Sequence, residues 1–109
     1  MKLTAVRKYA MSLPEATESP HFEYSSFRVR GKIFVTVPPG EEFVHVFAPE
    51  EPREVAVAMY PQFIEKLTWG SKVVGVRVAF SEAPPEVVKK LVLAAWKHKA
   101  PKSIQAKGE

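Results

Sequence analysis

The sequence predicts an α+β domain whose mainly antiparallel sheet carries its helices on one face and leaves the other partly wet. Three observations point there. Apolar residues recur at helical spacing near both ends of the chain and once in the middle. Five short runs between them have strand character. Glycine-containing turns join several of these runs, which implies hairpins and hence antiparallel pairing.

Leu3, Val6, Tyr9, Ala10 and Leu13 share one helical face, with Thr4 as a candidate cap. Pro14 disfavours helical geometry at Leu13 and ends the helix there. The polar stretch Glu15 to Pro20 reads as loop. Phe27 to Arg30 alternates, with Phe27 and Val29 on one side and Arg28 and Arg30 on the other. Gly31-Lys32 is a turn signal before Ile33 to Val37, so these two runs form a hairpin. Phe43 to Phe47 is the third strand. Pro49 to Met59 reads as a short helix with Pro52 in its first turn and Val55, Ala58 and Met59 on its buried side. Phe63 to Trp69 and Val73 to Phe80 are strands about the turn Gly70-Ser71-Lys72. In the latter run Val74, Val76, Val78 and Phe80 share one face, and Gly75, Arg77 and Ala79 the other. The last helix begins near Pro84-Pro85, with Ser81 as a candidate cap, buries Val87, Val88, Leu91, Ala94 and Ala95, and closes at Pro101. The tail, residues 103–109, is expected to fray.

At 109 residues the chain suits one domain, 1–109, and is too short for two. No apolar run approaches the ~18 residues of a membrane span, and Met1 to Leu13 lacks the continuous apolar stretch of a secretory signal. There is no Cys, so disulfides and thiolate metal sites are excluded, and a cytoplasmic location fits best. The chain also lacks Asp and Asn and holds ten Pro, a thermophile-like composition. Net charge is +4, and the excess lies in residues 51–109, with ten Lys/Arg against six Glu. A basic balance favours anionic partners, nucleic acid above all.

Leu13-Pro14-Glu15-Ala16-Thr17-Glu18, Phe27-Arg28-Val29-Arg30-Gly31-Lys32-Ile33-Phe34, Gly75-Val76-Arg77-Val78 and Ala100-Pro101-Lys102 together resemble the MmcQ/YjbR-like family, in order and spacing and over nearly the whole chain. The resemblance implies an α-βββ-α-ββ-α fold and a DNA-binding role in which two β-hairpins act as wings. The same helix–sheet plan also resembles secretion-chaperone-type folds, which bind polypeptides and dimerise.

Cations supply the candidate site. Arg28, Arg30 and Lys32 would form a basic hairpin: guanidinium groups bind phosphate oxygens in pairs, and a two-stranded ribbon fits the major groove. Charge on a strand face equally protects an edge from aggregation. Lys72 and Arg77 would supply a second wing. Lys89, Lys90 and Lys97, with Lys99, Lys102 and Trp96, lie on the last helix, where lysines also complement the helix dipole. Trp96 reads as packing at the helix–sheet seam. His21 and Glu23 form an H-x-E suited to a metal or to acid–base work if extended. His45 reads as partly buried, and His98 falls on the apolar face of the last helix. Three dispersed histidines without Cys or Asp make a poor metal site. No nucleophile elbow and no phosphate-cradling glycine loop occurs, so neither catalytic residues, nor a metal, nor a cofactor is expected. The reading is therefore DNA binding through basic hairpins, as monomer or homodimer. The alternative is a protein- or small-ligand-binding module presenting Phe43, Phe47, Trp69 and Trp96. An enzyme using His21, Glu23 and a distant Glu is a third, remote reading.

Overall fold

The computed structural model describes residues 1–21, 23–40 and 42–105, with the backbone alone at residue 21. Its order is α1 (Leu3–Ser12), β1 (Ala16–His21), β2 (Tyr24–Val29), β3 (Lys32–Val37), β4 (Val44–Val46), α2 (Glu50–Met59), β5 (Ile64–Trp69), β6 (Lys72–Val78), α3 (Pro85–Lys99) and α4 (Lys102–Gln105). The strands form one antiparallel sheet in the order β1-β2-β3-β4-β6-β5. Helices pack on one face, as the sequence predicts.

The core follows from the period-two alternation. Register sets Phe27 opposite Val35, Val35 opposite Val46, and Val46 opposite Val76, so one apolar row crosses four strands. All four side chains are buried, and α3 covers them with Val88, Leu91, Val92, Ala95 and Trp96. Trp96 is fully buried, and its indole N–H donates to the Pro14 carbonyl at 3.0 Å, which ties α3 to the end of α1.

Several sequence expectations are corrected. Residues 16–21 form an edge strand rather than a loop: six backbone pairings to β2 override the polar composition, and an edge position tolerates Pro20. β2 starts earlier than Phe27 and ends at Val29. Arg30 is instead the first residue of a two-residue turn, where Arg30 and Gly31 both have positive φ, as a type I′ turn requires. Arg28 and Arg30 therefore do not share a strand face. A register shift at Leu67/Thr68 leaves Val74 without an opposite residue and turns it to the outer face. α2 buries Ala56 and half-buries Val57, with Tyr60 half-buried just beyond it, whereas Val55, Ala58 and Met59 are exposed, because the helix turns its Ala56 side to β5, β6 and α3. Lys2 and Pro84, not Thr4 and Ser81, stand at the helix starts, and neither makes a side-chain cap. His98 is exposed. Part of the tail continues as α4, held by buried Ile104 and by Gln105 Nε2 donating to the Lys97 and Ala100 carbonyls; residues 106–109 lie outside the described residues.

The strand β4 has only three residues, yet it joins the β1-β2-β3 meander to the β5-β6 hairpin. Gly75 permits this. A Cβ there would lie 2.3 Å from the Val46 carbonyl oxygen and 2.9 Å from Phe47 Cα. Gly75→Ala is expected to destabilise the fold by roughly 2 kcal/mol or more, as forced overpacking against backbone does. Urea unfolding measures it as a lower midpoint with unchanged slope. A loss under ~0.5 kcal/mol, the range of an unremarkable surface change, would contradict the close approach.

Candidate functional site

Topology brings the two turns together. β3 begins at its turn with Lys32, β6 begins at its turn with Lys72, and β4 runs antiparallel between them. β3 and β6 are therefore parallel, and both turns stand at the same end of the sheet, on either side of Phe47. The second turn has Gly70 at positive φ between the paired residues Trp69 and Lys72, the glycine position of a type II′ turn.

Between the turns the outer sheet face forms a cleft of about 520 Å3. Ile33, Phe47, Trp69, Lys72 and Val74 line it near the turns, Tyr24, Thr36 and His45 farther along the strands, and Lys99 from the end of α3. Trp69 is 63% exposed, and its ring meets that of Phe47 edge-on at 5.6 Å between centroids.

The outer face carries a continuous polar row. Register sets Ser19 opposite Ser26, Ser26 opposite Thr36, Thr36 opposite His45, His45 opposite Arg77, and Arg77 opposite Glu65. Ser26 Oγ donates to the Ser19 carbonyl at 2.7 Å and accepts from Arg28 Nε at 3.2 Å. Arg77 stacks on Phe43, its guanidinium carbon 3.9 Å from the ring centroid, and meets Glu65 at 3.4 Å. Burial and then the Arg77 charge push the His45 pKa down, so its imidazole is neutral near pH 7.

The sequence-predicted cations divide. Lys32 and Lys72 are exposed at the two turns. Arg28 lies on the outer face, opposite Ile33 of the cleft. Among the described residues, Lys32, Lys72, Arg28 and Lys99 form no ion pair. Arg30, by contrast, makes paired hydrogen bonds to Glu15, which raise its pKa, and Arg77 is held by Glu65. Lys89 and Lys90 are not brought to this end: Lys89 Nζ stands 5.7 Å over the Tyr9 ring on the helical side, and Lys90 lines a groove between α2 and α3. Lys97 is half-buried in the last turn of α3.

Exposed His98 marks where the positive groups meet. Its pKa is lowered first by partial desolvation, then by Lys99, Arg53 and Lys32. Glu23 is exposed in the β1–β2 turn, while the His21 side chain lies outside the described residues. Among the described residues no three His, Cys, Asp or Glu side chains cluster as metal ligands would. The aromatic surface imagined for a protein-binding module is not assembled as expected, because Trp96 and Phe47 are buried. Tyr24 and Thr36 were not foreseen as site residues. Alternation extended back from Arg28 through Ser26 to Tyr24 is the signal that points to the former.

No helix among the described residues is long and apolar enough to cross a membrane. No curated protein matches the chain significantly. The fold is similar to the crystal structure of Deinococcus radiodurans protein DR2400, described as a DUF419 domain: the TM-score is 0.76 at 17% identity, over 97% of this chain and 86% of that one. A family model described as YjbR matches residues 11–98. Sequence motifs and this match agree, and the chain belongs to the YjbR family.

Proposed function

We propose that the chain, acting as one domain, binds DNA by anchoring backbone phosphates at the two-turn end of its sheet. The observation that carries this reading is that Lys99 shares the cleft with Lys72 and the surroundings of His98 with Lys32, so that cations from two hairpins and a helix end stand at one end of the sheet without glutamate partners among the described residues. Arg28 extends the cationic surface along β2. Ammonium groups unpaired in the free protein lose no internal partner on meeting a phosphate, so counterion release contributes undiminished. Arg30 and Arg77 would first have to give up Glu15 and Glu65. They act in this reading as structural residues of the wings, not as phosphate anchors.

A labelled duplex titrated between ~50 and ~200 mM salt tests the reading. Three phosphate contacts predict a slope of log K against log salt of about −2.7. Lys32→Ala, Lys72→Ala and Lys99→Ala should each reduce the slope by about 1, whereas Lys89→Ala and Lys90→Ala should leave it unchanged. Absence of binding at ~50 mM salt, where electrostatic association is strong, would sink the proposal.

Binding is also expected to tighten on acidification. Partial desolvation first, and then Lys99, Arg53 and Lys32, hold the His98 pKa below its ordinary value in the free protein, and a phosphate placed among these cations offsets their repulsion. The bound state then has the higher pKa and takes up a proton. Affinity should therefore rise as pH falls from ~8 to ~6, across the ordinary histidine range. His98→Gln should flatten the profile, and an unaltered profile in that variant would remove His98 from the interface.

A further inference from the structure

We propose that the aromatic cleft between the two turns receives an unpaired nucleotide, so that the preferred target is a strand with an accessible base rather than a continuous duplex. This rests on the DNA-binding reading above and adds the class of target. Trp69 and Lys72 are directly opposed across β5 and β6, so both side chains project from the outer face into the same cleft. Phe47, meeting the indole edge-on, fixes the orientation of that platform. Lys99, from the end of α3, lines the same cleft. An exposed aromatic ring sharing a cleft with two ammonium groups matches one base and its flanking phosphates, since every base offers a π-face for stacking.

The end of the cleft away from the turns supplies polar groups for the edge of such a base. Thr36 carries a hydroxyl, Tyr24 a phenol, and His45 a neutral imidazole with one donor and one acceptor nitrogen. Among the described residues neither Thr36 nor His45 spends that capacity on another side chain. A cleft of about 520 Å3 lies within the ~300–1,000 Å3 of small-ligand sites. A duplex would engage the lysines and leave this floor empty, because its bases remain stacked against each other.

The test compares a ~12-nucleotide oligothymidylate with a blunt duplex of equal length, on the full chain at ~100 mM salt, reading tryptophan emission together with anisotropy. Trp96 is buried, so a change in emission reports Trp69. The strand should quench emission and bind roughly tenfold or more tightly than the duplex, the range of one base–aromatic stack. Trp69→Ala should remove that preference while duplex affinity stays within about twofold, and Trp69→Phe should restore most of it. Equal affinity for strand and duplex, or strand binding without a change in emission, overturns the cleft proposal and leaves the DNA-binding reading standing. If neither probe binds at ~50 mM salt, the underlying reading falls and the cleft proposal with it.

Discussion

Three residues of β4 hold the two halves of the sheet together. Val44–Val46 is the shortest strand, and it alone links the β1-β2-β3 meander to the β5-β6 hairpin. The backbone approach at Gly75 makes that seam possible, because any side chain there would collide with the Val46 carbonyl. Everything at the outer face depends on this contact. It sets β3 parallel to β6, which puts both turns at one end. It also opposes Thr36, His45 and Arg77 across three strands. Without the seam a three-stranded meander and an isolated hairpin would remain, each with its own unpaired edge.

Arginine and lysine divide the electrostatic work by geometry. The planar guanidinium suits fixed, paired contacts, and the chain uses it so. Arg30, held at positive φ in the first turn, is clamped to Glu15, itself at positive φ after α1. Arg77 is sandwiched between the Phe43 ring and Glu65. The lysines at the turns are compact charges on flexible stems, with no such partners among the described residues. Net charge alone would have credited all of these groups equally.

The architecture was largely legible in the sequence. Helical spacing from Leu3 to Leu13, the strand-like run Ile33 to Val37 and the turn glycines are local signals, and each predicted its element. What failed was tertiary. β1 exists because β2 offers it a pairing edge, and its own residues, with Pro20 among them, argue for loop. The face of α2 was misassigned because the choice between Val55 and Ala56 is made by the surface it packs on. Val74 was turned outward by a register shift that involves its partner strand. Of the site, the basic turns were visible in Lys32 and Lys72, but pairing of Arg30 with Glu15 is invisible from composition. Lys89 and Lys90 drew the same weight as Lys99 because charge along a helix does not tell which end reaches the cleft.

The polar row shows why the middle of the outer face, rather than its edges, is available for chemistry. At the β1 side the row closes on itself, with Ser26 donating to the Ser19 carbonyl and Arg28 donating to Ser26. At the β5 side it closes through Arg77 and Glu65. Thr36 and His45 lie between these tied ends, and among the described residues neither shares a side-chain hydrogen bond. Thr36 is nevertheless almost fully buried, although among the described residues it faces away from the helices, and it lines the cleft. Polar groups in a cleft without side-chain partners of their own retain hydrogen bonds for something that enters. The cleft is lined by Lys72 and Lys99, by the aromatic pair Phe47 and Trp69, and by the His45 imidazole and the Thr36 hydroxyl. In the proposed reading that set of groups suits an anion with a flat, polar-edged ring attached rather than a bare ion or an aliphatic chain.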